Sequence, residues 1–301
     1  MSGPSGSRPR RQPRSERFLA DELVGRINDL RLDENVVDNI TDQQYSQHLG
    51  GYIRSFSFRY EDGAPFSQGF VYLESPLQGG IMELEATFVV LTEEEGRMIA
   101  QKVYDDSNQI YGYGGAIANI YLSAYCNKLK RWVLGYEKFE CLFDSMIPNF
   151  LPFYESQSRI SIFWIRIIRQ VIESLSVLHG NGVMHGSLYS PQSYVLDSSS
   201  NIKLINIGRY SVAGRSTSHR DITSFFGYLG SQSCLDVSSS KDWHGFEYLY
   251  NSKEAMNNTR SCWKDSILGH PILLEPPSRL VVYKGGVCKC TLLPNALIIG
   301  K

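Results

Sequence analysis

Between residues 160 and 178 the apolar side chains fall at Ile160, Trp164, Ile167, Ile168, Val171, Ile172, Leu175 and Leu178, while Arg159, Arg166, Arg169 and Glu173 lie away from them. Recurrence at three and four residues predicts a long amphipathic helix with a broad face that must be buried. The most apolar part, ISIFWIRIIRQVIESL, is interrupted by Arg166 and Arg169. It falls short of the ~18 uninterrupted apolar residues of a membrane span, so no membrane association is expected.

Upstream of this helix the hydrophobic period is two. In YIRSFSFRY, Phe56, Phe58 and Tyr60 alternate with Ser55, Ser57 and Arg59. In IMELEATFVV, Met82, Leu84, Ala86 and Phe88 alternate with Glu83, Glu85 and Thr87. With FVYLES and RMIAQKVYD these segments read as antiparallel strands over 52–104, broken at the turn-like EDGAP, SPLQGG and TEEEG. A β-rich first half followed by a helix-rich second half predicts an α+β protein of two lobes. The lobes are placed at 50–135 and 136–275. Residues 1–17, rich in Arg, Ser, Pro and Gly, read as a disordered tail, and RPRRQPR within it reads as a solvated basic cluster. Leu19, Leu23, Ile27 and Leu30 predict a short helix in an extension over 18–49. Residues 276–301 form a C-terminal tail. Its ending, LVVYKGGVCKCTLLPNALIIGK, reads as two short apolar strands or as sequence outside the domain.

Composition narrows the functional classes. With 42% apolar residues, 20% charged residues and a formal net charge of −1, the chain is ordinary for a globular protein. It carries no global field to recruit nucleic acid. The six cysteines, at 126, 141, 234, 262, 288 and 290, lack the paired spacing of a zinc site. They are expected to be reduced thiols in the cytoplasm or nucleus.

The sequence directly after the long helix carries the chemistry. LHGNGVMHGSL is followed by YVLD, a polar turn DSSSN, IKLI, and NIG. This helix, loop and hairpin resemble the catalytic segment of the eukaryotic protein kinase family, with its H-R-D-L-x-x-x-N loop and D-F-G turn. The first motif here is His185-Gly186-Ser187-Leu188, and the second is Asn206-Ile207-Gly208. RMIAQKVYD resembles the family's third strand, with Lys102 at the lysine of V-A-I-K. WVLGYEKFECLFDSMI resembles the fifth strand and hinge. DITSFFGYL, with Asp221, resembles the opening of the large helix of the second lobe. TRSCWKDSILGHPIL resembles a late stretch with Arg260 and His270-Pro271. The resemblance covers roughly 97–275 and implies a protein-kinase-like two-lobed fold.

The same alignment removes the chemistry. Phosphoryl transfer needs Mg²⁺, positioned phosphates and a base beside the acceptor hydroxyl. The base position is Ser187, which is too weak a base at neutral pH; such a loss typically costs about 10²–10⁴-fold. The second metal-ligand position falls on Gln192, or on Ser193 after a one-residue insertion. The metal-binding aspartate is Asn206, an oxygen ligand without the charge that a hard ion favours. Lys102 finds no Glu between Val103 and Tyr136, and Asp105 and Asp106 lie too close to it for a strand lysine. No G-x-G-x-x-G precedes it, and only 12 residues separate Gly208 from Asp221, too few for an activation segment. The resemblance therefore implies a pseudokinase: no catalytic residue, no required cofactor, and a scaffold or allosteric role with a protein partner. The alternatives are an atypical kinase with weak ATP binding through Lys102, and a fragment whose activity lies elsewhere.

Overall fold

The computed structural model describes residues 35–46, 49–74, 79–150, 152–156, 159–210, 218–232, 235–237, 241–252 and 263–274. The tail at 1–17, the helix expected over 18–31, Arg260 and the C-terminal tail lie outside them.

The first lobe is a six-stranded antiparallel sheet. Its strands are β1 (Asn35–Ser46), β2 (Gly51–Arg59), β3 (Ser67–Glu74), β4 (Ile81–Val90), β5 (Ile120–Cys126) and β6 (Arg131–Glu137), in spatial order β1-β2-β3-β4-β6-β5. The register pairs Phe56 with Val71, Val71 with Leu84, and Phe88 with Gly135. That alignment gathers Phe56, Phe58, Val71, Leu73, Ala86 and Phe88 on one face as a buried core, with the Phe58 and Phe88 rings 4.8 Å apart. The sheet curls so that its two edges approach. The Asp38 carboxylate on β1 accepts from the Asn127 backbone N–H and its amide, next to the end of β5. Gly135 is tight against this core: an added Cβ would lie 3.0 Å from Leu122 and 3.2 Å from Phe88.

Two segments differ from the sequence reading. Asn35–Ser46 is a strand paired with β2, so the sheet begins inside the stretch assigned to a helical extension. RMIAQKVYD, read as a strand, is the start of helix α1 (Arg97–Asn108). Its buried residues are Ala100, Val103 and Ser107, a spacing of three and four that packs one helical face against β5 and β6. The segment contains too few apolar residues for its period to be legible, and tertiary packing decided it.

The linker 138–140 leads to β7 (Cys141–Leu142) and the single-turn helix α2 (Phe143–Met146). A short pair, β8 (Tyr154–Ser156) and β9 (Arg159–Ile160), precedes α3 (Ile162–Gly180). Helix α3 is the long helix expected from the sequence, with Trp164, Ile168, Val171, Ile172, Leu175 and Leu178 buried. Each such side chain stabilises the fold by roughly 1.5–3 kcal/mol on burial. The helix stops where Gly182 adopts φ 74° and the Val183 N–H returns to the Leu178 carbonyl. Then come β10 (Tyr194–Leu196) and β11 (Ile202–Leu204), which form a hairpin extended by β7. Among the described residues, helices α4 (Ser218–Ser231), α5 (Lys241–Asn251) and α6 (Trp263–Leu268) follow in the second lobe. Its core joins Trp164, Phe225, Phe226, Trp243 and Phe246 with the apolar face of α3. A third cluster bridges the lobes: Val89, Leu91, Ala100, Val103 and Leu134 meet Phe139, Val195 and Ile205. The result is a two-lobed α+β architecture with a sheet lobe, a helical lobe and a cleft between them.

Candidate functional site

The HGS loop is built around one carboxylate. Asp221 opens the first turns of α4 and is 1% exposed. It accepts from the His185 backbone N–H at 2.8 Å, the Gly186 backbone N–H at 2.8 Å and His179 Nε2 at 3.0 Å. Burial opposes its ionisation, but the His179 ring, the nearby His185 ring and the Gly186 N–H together hold its carboxyl below the usual value. His185 itself is fully buried, and burial pushes it down to about 4, so it is neutral at physiological pH. The role of Asp221 and His185 is therefore to shape the loop.

Ser187 is the residue that the resemblance set at the base position. Its hydroxyl lies 3.2 Å from His185 Nδ1 and 3.1 Å from Ser193 Oγ, and Ser193 Oγ donates to the Ser187 carbonyl at 2.8 Å. Ser187 is thus bonded into the loop. The neighbouring imidazole, kept neutral by burial, is a poor proton acceptor for this hydroxyl. Ser193 points into the loop, while Gln192 lines the cleft.

The NIG turn follows β11. Asn206 sits at φ 61°, a left-handed conformation that Asn tolerates better than most residues. Its backbone N–H donates to the Tyr136 hydroxyl at 3.2 Å, and its side-chain amide donates to the Gln192 carbonyl at 3.1 Å. The Gly208 N–H donates to the His185 carbonyl at 3.0 Å, which fastens the turn to the HGS loop. Gly208 adopts φ 78°, and a Cβ there would collide with the Asp106 carboxylate.

The sequence analysis brought Ser187, Gln192, Asn206 and Lys102 together, and the structure places all four around this region. Lys102, however, lies on α1 and not on a strand. It is paired with Asp106 one turn later, a partner excluded when the segment was read as extended. β4 carries no Lys or Arg, and the β4 residues that line the pocket are Val89 and Val90.

The cleft has a cavity of about 310 Å³, roofed by the β2–β3 hairpin (Tyr60–Phe66) and floored by Leu142, Ile205 and Asn206. That is at the small end of the roughly 300–1,000 Å³ typical of ligand pockets. The Phe66 ring meets Phe139 edge-on at 5.0 Å. In the linker, the Phe139 N–H donates to Thr87 Oγ1 at 3.1 Å, and Gln68 Nε2 donates to the Phe139 carbonyl at 2.6 Å. Both backbone groups of Phe139 are thus hydrogen-bonded within the protein. Neither Gln68 nor Thr87 was singled out by sequence; both are ordinary strand residues until β3 and β4 align them beside the linker.

Two carboxylates approach the NIG turn, Asp106 and Glu95, and each is matched by a cation. Asp106 is paired with Lys102. Glu95, in the turn between β4 and α1, accepts from Arg209 Nε at 2.6 Å and Arg209 Nη2 at 2.6 Å. It also accepts from the Thr92 N–H and hydroxyl, each at 3.0 Å. Burial alone would raise the Glu95 carboxyl, but Arg209 and Thr92 hold it below its ordinary value. Asp62, on the exposed hairpin, is the one carboxylate among the described residues lining the cavity, and it accepts from the Tyr60 hydroxyl. Among the described residues no three His, Cys, Asp or Glu side chains gather into a set that could hold a metal ion.

No family model matches the chain, and no curated protein matches it. Solved structures with a similar arrangement include a complex of Neurospora crassa PAN2 (WD40-CS1) with PAN3 (pseudokinase and C-term). The likeness is at 10% identity, covers 86% of this chain and 68% of that one, and has a TM-score of 0.48. The Neurospora crassa PAN3 pseudokinase is similar at 10% identity over 88% of this chain and 69% of that one, with a TM-score of 0.47. On its own geometry, with a curled sheet and α1 set over a long helix, an HGS loop, a hairpin and an NIG turn, this chain has a two-lobed protein-kinase-like fold.

Proposed function

We propose that the protein is a catalytically inactive kinase-like domain, a pseudokinase that acts as a scaffold or allosteric module by binding another protein. The observation that carries this reading is a small cleft beside which the two carboxylates that approach the NIG turn, Asp106 and Glu95, are each paired with a cation of the chain itself. Phe66, Val89, Val90, Leu142 and Ile205 line it with apolar side chains, and β4 contributes no Lys or Arg to it. The altered residues agree with it. Ser187 and Asn206 supply neither a base nor a charged metal ligand, and the nearby carboxylates Asp106 and Glu95 are tied to Lys102 and Arg209. Transfer from ATP needs all of these functions at once.

The test is a thermal-shift titration with ATP, with and without Mg²⁺, alongside incorporation of labelled phosphate. A site with 1 mM ATP at 100 times its Kd would gain about 2.7 kcal/mol, a rise of several degrees. The expected result is no saturable shift and no incorporation. A saturable, Mg²⁺-dependent shift with phosphate transfer lost in Lys102→Ala would overturn the reading.

A further inference from the structure

We infer that Arg209 and Glu95 form an inter-lobe clasp that keeps the lobes closed, and helix α1 docked, without a bound ligand. The two residues are 114 positions apart in sequence, and each is 8% exposed. Arg209 directly follows the NIG turn of the helical lobe, whereas Glu95 belongs to the turn that leads the sheet lobe into α1. Their contact is a parallel two-bond fork, the strongest geometry open to an arginine and a carboxylate. Both ends are prepared in advance. Thr92 holds the Glu95 carboxylate with two donors, and the Arg209 guanidinium lies 5.2 Å over the Tyr210 ring. With Arg209 and Thr92 as donors, the carboxylate is satisfied although it is out of water, so the usual penalty for burying a charge is offset.

The clasp sits at the end of a continuous polar path. Asp221 on α4 fixes His185, the His185 carbonyl receives the Gly208 N–H, and Arg209 reaches across to Glu95. Asp106 and Lys102 of α1 abut Gly208 from the other side. The NIGR segment is therefore gripped by two elements of the sheet lobe, α1 and the turn before it. In an enzyme of this architecture a nucleotide and its metal would hold the lobes together. Here a side-chain pair does so, and the arrangement offered to a partner does not depend on ligand concentration.

Amide hydrogen exchange on the full chain tests this. Reporters on the helical-lobe side are Ile205, Asn206, Gly208 and Arg209, whose N–H groups are all hydrogen-bonded, and on the sheet-lobe side the amides of α1. In the wild-type chain at low urea, both sets should exchange through one shared opening, below the stability of α3. In Arg209→Met and Glu95→Gln, both should exchange faster together, on the order of 100-fold, with α3 unchanged. The paired variant E95M/R209M keeps the site filled without charge, and it should also fold with both segments loosened. Independent openings in the wild type would overturn the inference. So would acceleration confined to residues 92–96, or wild-type exchange in the folded double variant. These outcomes are separate from the nucleotide titration, so either result can fail alone.

Discussion

Replacing Asp221 by alanine should be among the most damaging single changes in the helical lobe. The side chain is 1% exposed and accepts three hydrogen bonds, two of them from the backbone N–H groups of His185 and Gly186, at 2.8 Å each. Those donors cannot turn elsewhere, because the loop is also held by the Gly208 N–H on the His185 carbonyl and by Ser187 on His185 Nδ1. Each buried donor left without an acceptor costs about 1–3 kcal/mol, and breaking a buried charged partnership typically costs about 3–5 kcal/mol. We expect Asp221→Ala to lose about 3–5 kcal/mol, a large share of the roughly 5–15 kcal/mol available to a folded domain. At about 2–4 °C per kcal/mol, Tm should fall by about 6–20 °C. Asp221→Asn keeps the shape and one acceptor oxygen but turns an amide N–H₂ toward a donor, so its loss should be intermediate. Urea unfolding followed by circular dichroism gives the difference from the midpoint at constant slope. A loss below about 1 kcal/mol for the alanine variant would refute the idea that this carboxylate organises the loop.

His185 predicts an acid sensitivity with a defined sign. Its folded value, about 4, lies below the ordinary 6.5, so the unfolded chain binds the proton first. Stability should fall as pH drops from about 6.5 toward 4, by about 2 kcal/mol between pH 7 and pH 5. Asp221 acts at lower pH: its lowered carboxyl contributes stability above its unfolded value that is lost as pH falls through the folded one. Urea midpoints at pH 7 and 5 should converge less in the wild type than in His185→Asn; identical pH dependence in the two would count against the buried neutral imidazole. Gly208→Ala should cost about 1–3 kcal/mol, from a left-handed backbone and a collision with Asp106. Gly182→Ala has a similar φ of 74° but open space, and should cost clearly less. Equal melting temperatures for the two variants would show that α1 does not press on the NIG turn.

Much of this protein was legible in one dimension. Strict alternation in YIRSFSFRY and IMELEATFVV gives strands because a pleated chain shows alternate residues to one face. The spacing from Ile160 to Leu178 gives α3 because only a helix gathers those residues into one stripe. The loop that holds Ser187 and the turn that holds Asn206 were readable because the HGS loop, hairpin and NIG turn are local and follow one another closely along the chain. Tertiary packing decided the rest. It made a helix of RMIAQKVYD, whose few apolar residues fit either period, and so moved Lys102 from strand to helix and gave it Asp106. It set Gln68 and Thr87 on the Phe139 backbone and Phe66 against the Phe139 ring, and it joined Glu95 to Arg209 across 114 residues. Sequence periodicity reports which way a side chain faces within its own element. Which distant group it meets depends on strand register and on how the lobes close, and neither is written in any local stretch of the chain.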